Sequence, residues 1–343
     1  MRSIFVFLVM LVAFAAPARA GGPPFADQWG VYRDRFVTGD GRVIDTGNKS
    51  VSHTEGQGWA MLFAVTADDR ASFDNIWGWT EAHLAQPDTA LFAWRWDPTD
   101  SKNPVADTNN ASDGDTLIAW ALIRAAERWH EPKYRAAARR IAADLRDRML
   151  AAVAHRLVLL PGRDGFIRDD GSIVINPSYY IYPAFKDLDR TAPGYQWRRL
   201  RTDGLALLDK AQFGQWHLPC DWVSVEPDGG VVPAPGFPPQ FGFAAIRVPL
   251  YLIWSRKATA PRLAPYLDFW SSFADKPIAA WADVSDGKVA PFAAPSGMQA
   301  VIQLVREWGH PNPTPLPVIG DDDDYYSASL ILLSRIARAE AGT

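Results

Sequence analysis

The stretch Ala111 to Trp129, ASDGDTLIAWALIRAAERW, decides the fold. Behind Asp113 and Asp115, the residues Leu117, Ile118, Ala121, Leu122, Ala125 and Trp129 recur at helical spacing, while Arg124, Glu127 and Arg128 take the other side. One face belongs to a core and the other is wet. The two aspartates therefore stand at a helix mouth, where a carboxylate ordinarily caps the helix or compensates its dipole.

Similar patterns continue in both directions. Helical signals fall at about 55 to 66, 69 to 85, 115 to 130, 132 to 150, 195 to 213, 243 to 256, 262 to 273, 295 to 308 and 324 to 340. Asp69, Pro132 and the acidic run Asp321 to Asp324 are start signals for three of them. Short connections between successive helices predict stacked helical hairpins, an all-α architecture. Strand signals are scarce. Between His155 and Tyr180 the segments RLVLL and GSIVI flank Gly-rich turns and predict one small β-hairpin. Two proline-rich stretches, Glu226 to Gln240 and Gly309 to Gly320, read as rim loops of one domain, where binding residues often lie.

A second carboxylate site lies at Ser52 to Ala64, SHTEGQGWAMLFA, where Gly56 and Gly58 leave Glu55 open to close approach. The same segment fits two overlapping capping boxes, Ser52 with Glu55 and Thr54 with Gln57. Trp94 and Trp96 alternate with Arg95 in an extended AWRW segment, which turns both rings to one face. The 15 tryptophans of the chain serve in part as core, as Trp77, Trp120 and Trp129 do within helical patterns. Flat rings also stack on the C–H faces of pyranose sugars, so Trp94 and Trp96 are candidates for a sugar platform or a core plug.

Taken together, the two carboxylate segments resemble glycoside hydrolase family 8, whose signature is matched by Ala111 to Trp129. Other matching pieces follow in order: FDNIWGWT from Phe73, AWRW from Ala93, NPSYY from Asn176, CDWV from Cys220, AAIRVP from Ala244 and DYYSASL from Asp324. The resemblance is greatest to the periplasmic endoglucanases encoded with bacterial cellulose synthases. It implies an (α/α)6 toroid with a small β-hairpin insertion, and an endo-β-1,4-glucanase that inverts at the cleaved carbon and acts during cellulose synthesis and export. Glu55 is implied as general acid and Asp113 as the carboxylate that meets the sugar at the cleaved bond. Trp94, Trp96, Tyr179, Trp222 and Arg247 are implied to bind substrate, and Asp115 to open its helix structurally. The implied partners are β-1,4-glucan (cellulose) chains and the cellulose synthase export machinery.

The chain departs from the family at one place. Where the family usually reads Tyr-Asp-Ala-x-Arg, this chain reads Phe243, Ala244, Ala245, Ile246, Arg247, so an alanine stands where the usual base would be. Candidates for a relocated base are Asp221, first among them, then Glu226, Asp228, Asp323 and Asp324. The rival reading is a catalytically impaired β-glucan-binding helper of cellulose export. A third, a polysaccharide lyase on a similar toroid, would need a Tyr or His base and cations for uronic acids.

Residues 1–20, MRSIFVFLVMLVAFAAPARA, combine a basic Arg2, an apolar run and an Ala18-Arg19-Ala20 cleavage site, the pattern of a secretory signal peptide. The expected organisation is a signal peptide over 1–20 and a single domain over 21–343, periplasmic or secreted. Formal charge is −4, more negative once Arg2 and Arg19 are removed, which argues against nucleic acid and anionic lipid as partners. The only cysteine, Cys220, cannot form an intramolecular disulfide. The six histidines lack metal-ligand spacing, and the run Asp321 to Asp324 lacks the pattern of a calcium loop, so no metal and no cofactor is expected. No segment after the signal is long and apolar enough to cross a bilayer.

Overall fold

The computed structural model describes residues 22–342, and the signal segment read in residues 1–20 lies outside them. Eleven helices occur among the described residues: α1 (Phe25–Phe36), α2 (Thr54–Thr66), α3 (Arg70–Leu84), α4 (Ser112–Trp129), α5 (Pro132–Arg148), α6 (Tyr182–Thr191), α7 (Tyr195–Leu208), α8 (Arg247–Trp254), α9 (Ala260–Ser271), α10 (Ser296–Arg306) and α11 (Tyr325–Ala341). The start signals act as read. Asp69 accepts from the Ser72 amide, Asp324 from the Ser327 amide, and Pro132 occupies the first turn of α5.

Periodicity does not reveal two of the helices. In α1 the buried side includes polar Gln28 beside Trp29, Tyr32 and Phe36, which blurs the stripe; α6 is only 10 residues long. The helix expected from 243 begins at Arg247, because Phe243 to Ile246 form a turn. The expected hairpin is also corrected. RLVLL contributes β4 (Arg156–Leu159), which pairs back to β3 (Leu150–Val153), whereas β5 (Ile173–Ile175) in GSIVI joins the distant β6 (Val223–Val225), itself paired to β7 (Val231–Pro233). The remaining short pairs are β1 (Ser52–His53) with β2 (Arg95–Trp96), and β8 (Gln240–Phe241) with β9 (Ala282–Asp283).

α2, α4, α6, α8, α10 and α11 contact one another in a closed circuit, and α1, α3, α5, α7 and α9 pack outside it. The fold is an (α/α)6 toroid. Inner helices must be apolar nearly all round, and every residue of α8 is buried. The outer α5 keeps only a stripe, with Tyr134, Ala137, Ala138, Ile141, Ala142 and Leu145 inside. Each outer helix carries the chain back, so the inner helices run parallel and their first turns gather at one end. Between α10 and α11 no helix returns. Instead the Gly309 to Gly320 stretch runs along the outside, held by Arg338 to the Thr314 carbonyl at 2.5 Å and by the Ile319 amide to Gln28 at 2.7 Å. It is an outer strap, not the rim loop its composition suggested.

Candidate active site

The first turns of α2 and α4 lie side by side because Gly114 has no side chain. A β-carbon there would stand 2.8 Å from the Glu55 amide nitrogen. This contact brings Glu55 and Asp113, each in the first turn of its helix, into one hydrogen-bonded pair. The N-cap of α2 is His53, whose Nδ1 accepts from the Gly56 amide at 3.2 Å while Nε2 faces Asp45 at 3.3 Å. The capping boxes read from the sequence do not form: Ser52 is paired in β1 and Gln57 turns inward, its amide donating to Thr80 at 2.9 Å.

Arg247, the first residue of α8, reaches across the floor to Glu55 Oε1 at 2.9 Å, with side chains only 6 % and 17 % exposed. It also donates to the hydroxyl of Ser178 at 2.9 Å, in the 3-10 turn Pro177–Tyr179 that precedes α6, and lies over the Trp59 ring. Burial pushes the Glu55 carboxyl well up; Arg247 opposes this, and the charge and hydrogen bond of Asp113 add to it. Asp113 is also raised by burial, but Arg247, the hydrogen bond from Glu55 and the Gly114 amide pull it down. The contact between the two carboxyls thus favours the proton on Glu55 and disfavours it on Asp113. Tyr179 is half-buried in the field of both carboxylates, and desolvation with that field raises the phenol so that it stays protonated.

The aromatic candidates separate. Trp96 packs on the core edge-on to Trp79, with the Arg42 guanidinium over its ring at 5.1 Å. Trp94 is not part of that packing; its indole donates to Asp107 at 2.8 Å, and its carbonyl accepts the Thr54 amide beside Glu55 at 3.0 Å. Trp222 stacks on Phe166 and Phe237 and meets Tyr179 edge-on, so the Glu226 to Gln240 loop does reach the aromatic wall.

The family model for glycosyl hydrolases family 8 matches residues 1–340. The chain belongs to this family. It is 40% identical over 329 residues to a probable endoglucanase of Novacetimonas hansenii, covering 96% of this chain and 94% of that one. An endoglucanase of Cellulomonas uda is 44% identical over 276 residues, 80% of this chain and 76% of the relative. The crystal structure of a family 8 endoglucanase from Klebsiella pneumoniae superposes with a TM-score of 0.86 at 44% identity, over 92% of this chain and 99% of that one.

Against that family background, Ala244 sits half-buried in the turn before α8, three residues ahead of Arg247. Directly beneath it, Asp221 Oδ1 accepts the Gly242 amide at 3.0 Å and the Ala245 amide at 2.7 Å. Burial raises the Asp221 carboxyl, and these amides and Arg247 oppose the rise. Asp228, Asp323 and Asp324 are engaged elsewhere. Asp228 closes the β6–β7 turn on the Gly230 amide at 2.7 Å, with Glu226 at the same turn. Asp323 binds the Gly320 amide at 2.7 Å, and Asp324 caps α11. Sequence reasoning missed His53, Asp45 and Ser178, although Ser178 lies inside NPSYY, and it missed two tyrosines inside DYYSASL: Tyr325, edge-on to His53, and Tyr326, whose hydroxyl donates to the Phe243 carbonyl. Among the described residues no group of three or more His, Cys, Asp or Glu could hold a metal ion, and no helix is long and apolar enough to cross a membrane.

Proposed function

We propose that this family 8 glycoside hydrolase is an endo-β-1,4-glucanase that cleaves β-1,4-glucan with inversion. The observation that carries the reading is the Glu55–Asp113 pair at the mouths of α2 and α4, with Arg247 at 2.9 Å from Glu55. In inversion an acid protonates the leaving oxygen while a base takes a proton from water on the opposite face, the two carboxyls standing roughly 6.5 to 9.5 Å apart. Glu55 is the acid. As the C–O bond breaks, its proton passes to the glycosidic oxygen, and Arg247 stabilises the carboxylate left behind. Asp113 and Tyr179 orient the sugar at the cleaved bond, while Trp94 and Trp222 offer rings to neighbouring sugars and Trp96 packs against the core. Asp221 is the base: Oδ1 is anchored by backbone amides, leaving Oδ2 for the water proton as the new C–O bond forms.

Residues 1–20 direct export and residues 21–343 form the single mature domain, periplasmic or secreted, working on cellulose chains at the synthase export machinery. The test is reducing-end release from carboxymethylcellulose by purified mature protein, with the anomer of the first product followed by NMR. We expect release with the inverted anomer; no release, or the retained anomer, would overturn the mechanism. One observation favours the alternative of a catalytically impaired glucan-binding helper: Ala244 stands in the turn where a carboxylate is usual. A parent that binds cello-oligosaccharides, releases no reducing ends and gains hydrolysis through Ala244→Asp would establish that alternative.

A further inference from the structure

Asp115 is fully buried on α4, two residues beyond Asp113, yet neither oxygen serves its own helix. Oδ1 accepts the Phe92 amide at 3.0 Å and Oδ2 accepts the Asn110 side-chain amide at 2.7 Å. The carbonyl of that same Asn110 side chain accepts the Arg163 amide at 2.9 Å, and Asn110 pairs with Ala93 through a β-bridge. Asp115 therefore ties three separate segments, 92–97, 109–111 and 161–164, to one turn of one inner helix.

The connections close on themselves. From Asp115 the tie runs to Phe92, then along the chain to Trp94, whose carbonyl accepts the Thr54 amide at 3.0 Å. Thr54 precedes Glu55, which shares its proton with Asp113, two positions before Asp115 on the same helix. We propose that Asp115 is a positioning residue: by holding Phe92 and Asn110 it fixes the strand that carries Trp94 and Trp96 against the first turns of α2 and α4. It thereby sets the placement of Trp94 relative to the acid pair. The consequence for glucan rests on the function proposed above, whereas the positioning itself does not.

Asp115→Asn retains one acceptor for Phe92 but turns an NH2 toward the NH2 of Asn110. A flip of Asn110 only moves the conflict to the Arg163 amide. The exchanged pair, Asp115→Asn with Asn110→Asp, restores every donor to an acceptor at unchanged net charge. Hydrogen exchange on the whole mature protein tests the positioning without substrate. We expect Asp115→Asn to lose at least tenfold protection at the Trp94 and Thr54 amides while α8 and α11 keep theirs, and the exchanged pair to recover it. Titration with cellohexaose should show a roughly tenfold weaker Kd for the single variant, restored to within about twofold by the exchanged pair. Unchanged protection in a folded single variant, uniform loss over all helices, or an exchanged pair no better than the single variant would overturn the proposal. A parent that binds no cellohexaose would overturn the glucan reading instead, and the exchange pattern alone would then judge Asp115.

Discussion

The influences on the Glu55 carboxyl disagree. Burial and Asp113 favour the proton, Arg247 disfavours it, and burial wins. Glu55→Gln keeps the size of the side chain but cannot donate, so turnover should fall by about 10² to 10⁴ with glucan binding kept. Steady-state rates on an unactivated glucan beside calorimetric binding check both halves. Because the working form is protonated and its pKa is raised, activity should fall as pH rises through the Glu55 value, and this alkaline limb should vanish in Glu55→Gln. At the opposite wall, Asp221→Asn should remove most hydrolysis, and circular dichroism must show the fold retained, since Asn still accepts the two amides on Oδ1. The placement of Glu55 and Asp113 at helix mouths was legible in the sequence, because each opens a motif whose composition changes sharply. The cap from His53 was not legible: a Ser at that spacing signals a capping box only if its backbone is free, and Ser52 is held by Trp96 across β1–β2.

At the scale of elements, the cleft exists because two helices approach more closely than side chains permit. Gly114→Ala would drive a methyl into Thr54 and the Glu55 amide, and Thr54 is held by its own amide to the Trp94 carbonyl. We expect a loss of about 1 to 3 kcal/mol in chemical denaturation, with activity falling further than stability because Glu55 shifts. The ladder also explains why Trp94 and Trp96, alike in sequence, differ in fate. Trp96→Ala should cost about 3 kcal/mol or more, since it removes packing from Trp79, whereas Trp94→Ala should weaken cello-oligosaccharide binding with little change in Tm. Melting curves and calorimetry on the two variants check this. Helices α3 and α5 could be read from periodicity, since their apolar stripes are set by local spacing. The pairing of β5 with β6 could not, because it joins segments far apart in the chain and local pattern carries no register.

Ring closure belongs to the whole molecule, and periodicity alone could not supply it: hairpin after hairpin fits an open stack as well as a toroid, and only the contact between α11 and α2 decides. Closure gathers the first turns of the inner helices at one end, where the positive ends of their dipoles face Glu55 and Asp113. It also buries carboxyls, with a consequence for stability. Asp115, fully buried, has its pKa raised by burial to about 8 against the opposing bonds from Asn110 and Phe92. Folded chain then keeps a proton that unfolded chain releases near pH ~4, so this contribution is whole below about pH 4 and is lost as pH rises toward 8. Its slope approaches about 1.4 kcal/mol per pH unit. Capping and paired carboxylates such as Asp69 and Glu307 are lowered and act oppositely, losing their contribution as pH falls below their unfolded values. The two trends together place greatest stability on the mildly acid side of neutrality. Denaturant midpoints measured from about pH 5 to 9 should fall with rising pH in the parent and fall less steeply in the exchanged pair. In that pair the buried carboxylate moves to position 110, where it accepts from the new side-chain amide at position 115 and from the Arg163 amide. In Asp115→Asn alone, with no carboxyl at either position, the slope should be shallowest. Identical slopes in all three proteins would assign the alkaline loss to Glu55, Asp113 and Asp221, the other buried carboxyls whose pKa values are raised.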